Sequence, residues 1–383
     1  MITAELRRAI LAAAGLETAG LGNGGPLLRP GGAPGRYTSS LPFRLARPGL
    51  EPRAVAEILA ARLSPEPWIA TAEAAGKGYL TVTVTHDALA GLAVRIAQAG
   101  QACAVSDALH GRRLPPPPRV DPFTEPGWPP AQSALAAQLT ARLATAAGAT
   151  FLFYPERTSL PPPGHAPSAP PSAPPVSAAP LVSAAPPVSA ADPLAKPSPV
   201  PEVSPVAQAG PVAAAGPVAA AGPVAAAVRY AGVDAVRFAL ARMPPGGAAP
   251  EATMVARHVL ANPAYAVRYA HAAAAAVLRW AAALGTRPAG FRSRLLAEPG
   301  ELALLDALSW LPERVAVAAR RARPDEFAGY LEELAAGTID TMNTTGFTKI
   351  SSVSSERLWL ADAARTGLAA GLGLLGVSAP DRL

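Results

Sequence analysis

Cysteine is all but missing from this chain. The one thiol, Cys103, can close no intramolecular disulfide and cannot build a cysteine-based zinc site, so a disulfide scaffold and a zinc ribbon are both excluded. A buried free thiol is its expected state. Lysine is nearly as scarce: it occurs only at Lys77, Lys196 and Lys349, which leaves arginine to supply most of the net charge of +6. Histidines stand only at positions 86, 110, 165, 258 and 271, without metal-ligand spacing, so neither a metal nor another cofactor is expected. His86 and Asp87, with Ser106, Asp107 and His110, lack the nucleophile elbow of a hydrolase, and no catalytic triad is read from them. The most apolar stretch, residues 266–284, is interrupted by Arg268, His271 and Arg279, so no membrane span is expected. Glu5 and the Arg7-Arg8 pair break what would be the apolar core of a leader, which points to the cytoplasm.

Proline is abundant, with 45 in 383 residues, most in the middle third; that argues against one continuous globule and for separate domains at the two ends. Arginine's planar fork suits phosphates and stacks on bases, so a nucleic-acid partner is permitted. A GC-rich genome would give the same bias toward Arg and Ala. The N-terminal 105 residues read as a small α+β domain. A helix covers residues 5–14, a largely helical stretch 39–63, two strands 68–74 and 78–84, and a helix 87–98. The second strand alternates Tyr79, Thr81, Thr83 against Leu80, Val82, Val84, the period of a half-buried strand. Residues 131–147 are again helical and 150–154 strand-like.

From 161 to 227 the chain is low-complexity, ending in Gly-Pro-Val-Ala-Ala-Ala units that begin at Gly210, Gly216 and Gly222. Such a segment has too few large apolar residues to offset its ordering entropy and is read as a disordered Pro/Ala linker. Residues 228–383 are helical throughout, with segments at 234–243, 253–260, 265–284, 302–311, 312–321, 324–338 and 356–375, an all-α bundle. Residues 343–349 read as a polar loop within it.

The C-terminal part resembles the DALR anticodon-binding domain of arginyl-tRNA synthetases. The resemblance is carried by Asp234-Ala235-Val236-Arg237, by the run Asn262-Pro263-Ala264-Tyr265-Ala266-Val267-Arg268-Tyr269-Ala270-His271-Ala272, and by the ending Gly373 to Leu383. The N-terminal part is similar to the same family's additional domain, which grips the tRNA elbow, through Gly35-Arg36-Tyr37-Thr38-Ser39-Ser40 and Ala75-Gly76-Lys77-Gly78-Tyr79-Leu80-Thr81-Val82. Arg36 departs from an aspartate there, and Ala273 stands where an arginine belongs. Between the two, the class I catalytic domain is missing. No His-x-Gly-His occurs, and no lysine lies between Lys196 and Asp234 to form the second signature loop, both of which serve the nucleotide's phosphates. Residues 139–148 resemble the helix after the first signature, which makes 106–160 a remnant of the catalytic domain.

The resemblance implies tRNA contacts from Tyr37, Ser40, Tyr79, Thr81, Arg237, Asn262, Arg268, Tyr269 and Arg382. Tyr79 and Thr81 on one exposed strand face would stack on and hydrogen-bond a loop base; the alternative is a tyrosine capping the core. Arg268 would meet phosphate and Tyr269 an anticodon base, whereas His271 reads as a buried helix-to-helix hydrogen-bond partner. Arg314, Arg320, Arg321 and Arg323 read as a solvated basic face. The leading expectation is a monomeric, non-catalytic tRNA-binding relative of the synthetases, its two domains gripping elbow and anticodon arm bivalently across the linker. An arginine–tRNA ligase and a regulatory module that docks a protein partner are the alternatives.

Overall fold

The computed structural model describes residues 1–16, 28–152, 222–348 and 353–383. The linker expected at 161–227 lies outside them up to residue 221, and its last residues belong to a helix instead.

The N-terminal elements are α1 (Ile2–Ala13), β1 (Leu28–Pro30), β2 (Arg36–Ser39), α2 (Leu41–Leu45), α3 (Pro52–Leu63), β3 (Ile69–Ala75), β4 (Tyr79–Val84), α4 (His86–Ala90) and α5 (Leu92–Ala99). The strands form an antiparallel sheet of order β1-β2-β4-β3. Ile2, Leu6 and Ile10 recur on one face of α1 and are wholly buried, the stripe an amphipathic helix presents to a core. The largely helical stretch expected from 39 to 63 holds two helices, α2 and α3, parted at Pro48-Gly49, where Gly49 takes a left-handed φ of 85°. Gly78 closes the β3–β4 turn at φ 120°, where a Cβ would lie 2.7 Å from Pro52; glycine alone meets both demands.

The chain continues through β5 (Arg113–Leu114), α6 (Trp128–Ala146) and β6 (Thr150–Phe151), with β5 and β6 paired in parallel. Then follow α7 (Pro223–Ala231), α8 (Val233–Arg242), α9 (Ala252–Val255), α10 (Pro263–Ala283), α11 (Pro299–Ser309), α12 (Leu311–Arg321), α13 (Pro324–Met342), α14 (Thr345–Thr348) and α15 (Ser355–Leu375). Proline opens α3, α7, α10, α11 and α13, where its missing N–H costs nothing and its φ is already helical. Helix α10 lies against α13 and α15. Gly367 and Gly371 let α15 approach closely: a Cβ at the first would meet Leu308 at 2.7 Å and one at the second would strike Leu331. The segment expected as a polar loop at 343–349 contains α14, whose Phe347 is buried.

The N-terminal elements and the bundle are one compact unit with a common hydrophobic core, not two tethered bodies. Helix α15 packs on α5 and on the 3-10 turn Gly100–Ala104, and α12 on α6. Polar contacts seal the junction. Arg7 Nε lies 2.9 Å from Glu313 Oε1, both side chains being buried, and Arg7 also pairs with Asp107. Gly35 N–H donates to Asp306 at 2.9 Å, His86 Nε2 meets the Leu296 carbonyl at 2.9 Å, and the Tyr37 and Ser309 hydroxyls are 2.9 Å apart. Burial pushes the Asp306 carboxyl up, only partly opposed by the Gly35 N–H. Helix by helix, the unit has no element long and apolar enough to cross a membrane among the described residues.

Candidate nucleic-acid interface

Helix α10 begins at Asn262, whose side chain caps it. Asn262 Oδ1 accepts from the Ala264 N–H at 3.2 Å, while Nδ2 donates to the carbonyls of Val255 (2.9 Å) and Arg257 (2.7 Å). Buried and with both ends engaged, Asn262 is a structural cap rather than the RNA contact its motif implied.

From that start, Tyr265, Tyr269, Ala272, Ala276 and Trp280 come round to one side of the helix, as their three- and four-residue steps require. The rings of His258 and Tyr265 stack at 5.4 Å, and those of Tyr265 and Tyr269 at 5.8 Å. The alanines are too small to fill the space beside them. A groove of about 520 Å³ remains, walled by Met342, Asn343 and Phe347 on one side and by Asp381, Arg382 and Leu383 on the other. That volume lies within the range of ligand sites. Trp280 is 58 % exposed at its rim, a large aromatic surface left open by the described residues.

The C-terminal tail is held in place as a wall. His271 is buried and its Nδ1 lies 3.1 Å from the Pro380 carbonyl; since a carbonyl only accepts, Nδ1 carries the proton. The expected role of His271 as a buried hydrogen-bonding residue stands, but its partner is the tail and not another helix. Burial holds its pKa below the ordinary histidine value, against the raising effect of that carbonyl. Arg279 Nη1 donates to the Asp381 carbonyl at 2.6 Å, and Arg268 Nη2 to Ser378 Oγ at 3.4 Å. Ser378 in turn donates to Asp234, which stands 3.9 Å from Arg268. Thus Asp234 and Arg268, read from two motifs, tie the tail to the bundle.

Of the residues singled out in the sequence, the groove brings together Tyr269 and Arg382; Arg268 lies behind it, fixing the tail. Arg237 lies apart, its guanidinium 5.1 Å above the Phe123 ring. Tyr37 is wholly buried, bonded to Ser309 and 5.3 Å from the Trp310 ring, so it faces the bundle and offers no surface to RNA. Thr81 is also buried, in the sheet between Thr38 and Glu73, which corrects the exposed face expected for it. Ser40 is half-buried at the N-cap of α2 without a capping side-chain bond. Tyr79 stays partly exposed, 4.7 Å from Phe43. Sequence reasoning missed Tyr265, Arg279 and Trp280, and read Asn343 as part of a polar surface loop, with RNA contact as the alternative. The aromatic recurrence along α10 was the signal available for Tyr265 and Trp280. Among the described residues no cluster of His, Cys, Asp and Glu could hold a metal ion.

Comparison with known proteins bears on this groove. A DALR anticodon binding domain matches residues 267–383. The arginine–tRNA ligase of Clavibacter sepedonicus is 39 % identical over 158 residues, 40 % of this chain and 28 % of the ligase. That of Renibacterium salmoninarum is 40 % identical over 165 residues, 41 % of this chain and 30 % of the ligase. The chain therefore spans less than a third of the length of these curated relatives. A solved arginyl-tRNA synthetase of Thermus thermophilus aligns with 42 % of this chain and 28 % of its own, at 27 % identity and a TM-score of 0.33, an overlap too low to argue from.

Proposed function

Residues 267–383 are a DALR anticodon binding domain, related to arginine–tRNA ligases as is the C-terminal two-fifths of the chain, and from that premise we propose that the protein binds tRNA without aminoacylating it. The observation that carries this reading is the groove itself. Tyr269 and Trp280 present π-faces, and Arg382 stands at its edge, a combination suited to splayed loop bases and their phosphates. Every base has a face to stack, so the tail and Asn343 would supply the polar selection. The absence of His-x-Gly-His and of a second, lysine-bearing loop from the sequence supports the non-catalytic part, because nothing then neutralises a triphosphate during amino-acid activation. Contact with the tRNA elbow is the less supported half. It rests on Tyr79 and Phe43, since Tyr37 and Thr81 are covered.

Fluorescence anisotropy with unfractionated and single-species tRNA tests the reading. Trp280→Ala and Tyr269→Ala should each weaken binding roughly ten-fold to a hundred-fold, the loss of one stacked base, and affinity should fall as salt rises. A flat salt response, or unchanged affinity in both variants, rejects RNA binding at the groove. Arginine-dependent ATP–pyrophosphate exchange is expected to be absent; arginyl-adenylate made by the purified chain would overturn the non-catalytic reading. Co-purification with a protein and no RNA would favour a regulatory module instead.

A further inference from the structure

Two arginines from distant parts of the chain converge where α15 ends. Gly376 terminates that helix in the left-handed conformation, φ 70°. A Cβ built on it would lie 2.5 Å from Nη1 of Arg142, on α6, and 2.6 Å from Nη1 of Arg237, on α8. Together those two distances cap the separation of the guanidinium nitrogens at about 5 Å, a spacing at which two positive charges repel, with solvent screening on the exposed Arg142 side, and at which one anion can meet both.

Among the described residues neither arginine has a hydrogen bond or an ion pair, and Arg237 Nε is buried without a partner. Two carboxylates, Asp234 and Asp121, act on the Arg237 charge from nearby without forming an ion pair with it. Asp234 accepts from Ser378 and faces Arg268, and Asp121 accepts from the Phe123 N–H. The carbonyl end of α15 offers only about half an elementary charge against two cations. Burial and the Arg142 charge both lower the pKa of Arg237, with Asp234 and Asp121 opposing. The Phe123 ring lies beneath the Arg237 guanidinium, holding the fork in place. Any residue larger than glycine at 376 would fill the gap between the two forks.

We propose that Arg142 and Arg237, converging over Gly376, form a clamp for a phosphate group. Paired guanidinium forks match the tetrahedral oxyanion, which accepts several charge-assisted hydrogen bonds at once. The phosphate comes either from an RNA backbone or from a free ion. The clamp sits at the root of the tail whose tip walls the groove, and residues 377–383 span at most about 25 Å. A strand seated in the groove therefore has a backbone phosphate within reach. That RNA arm rests on the groove reading; the free-phosphate arm does not.

The test uses the full chain, with Arg142→Gln as the first variant because Arg142 is exposed, and Arg142→Lys to keep the charge without the fork. Thermal unfolding is measured in phosphate and in chloride at matched ionic strength. Phosphate stabilises proteins generally by exclusion, so the readout is the difference between proteins. The wild type should gain roughly 2–4 °C more than Arg142→Gln at saturating phosphate. In parallel, the salt dependence of RNA affinity is compared, where Arg142→Gln should lower the slope of log K against log salt by about one. Both effects together identify an RNA phosphate. The thermal effect alone, with or without RNA binding, identifies a free phosphate. Equal thermal gains in wild type and both variants, with an unchanged salt slope, overturn the clamp.

Discussion

The buried Arg7–Glu313 pair gives the sharpest test of the shared core. Arg7 Nε and Glu313 Oε1 are 2.9 Å apart with both side chains some 4 % exposed. At an effective dielectric of ~20 their attraction amounts to about 6 kcal/mol, most of it offset by the desolvation of both groups. Removing Arg7 leaves the Glu313 carboxylate buried with the more distant Arg320 charge still opposing its desolvation, so Arg7→Met should destabilise the protein by about 3 kcal/mol, the low end for a broken buried pair. The double variant with Glu313→Gln should cost less than the sum of the two singles. Burial already pushes the Glu313 carboxyl up, with Arg7 opposing it. Without Arg7 the folded-state pKa rises further, so the folded state holds a proton that the unfolded chain has released above the usual carboxylate range. The penalty of Arg7→Met should therefore be smaller near pH 5 than near pH 8. Urea unfolding followed by far-UV circular dichroism and by tryptophan fluorescence, with Trp310 beside Tyr37, reads both quantities. A loss under about 1 kcal/mol refutes the argument. So does a wild-type transition in which the two signals separate, because the two ends would then unfold independently.

Asn262→Ala should cost about 1–2 kcal/mol of stability through the lost cap and carbonyl bonds, while leaving RNA affinity of the folded protein unchanged; affinity loss at intact stability would restore it as a contact. His271 is held neutral by burial, so its folded pKa lies below that of the unfolded chain. Stability should then fall as pH drops below ~6.5 and level off below the folded value, and His271→Gln should flatten that part of a melting-temperature profile. Burial pushes the Cys103 thiol up to about 12, so iodoacetamide should leave it unmodified in the native protein and alkylate it in urea; rapid native labelling would contradict the packing around it.

Much of the secondary structure was legible because it depends on neighbours in sequence. Proline at helix starts and the alternation of β4 act over a few residues, and the helix at 263–283 carries its cap signature, Asn262 then Pro263, in plain view. The short strands β1 and β2 escaped, being three and four residues long and set among glycines and prolines. What no periodicity encodes is the partner of a distant face. Gly35 meets Asp306 across 271 positions, and Tyr37 meets Ser309 across 272. A tyrosine in a motif read as RNA-binding turned out to serve that junction. Likewise the alternation of β4 assigned Thr81 to a face without saying that this face is also covered. The groove was half visible: Tyr269 and Arg382 stood out, while Trp280 acquires its place only when the tail and α14 close the far walls.

The common core also governs how the protein would respond to a cut. Residues 1–152 and 222–383 supply apolar faces to one another, so severing the backbone between them deprives neither fragment of its counterpart. Two halves produced as independent polypeptides should associate by mass action, and their combined melting temperature should climb with concentration, unlike that of the intact chain.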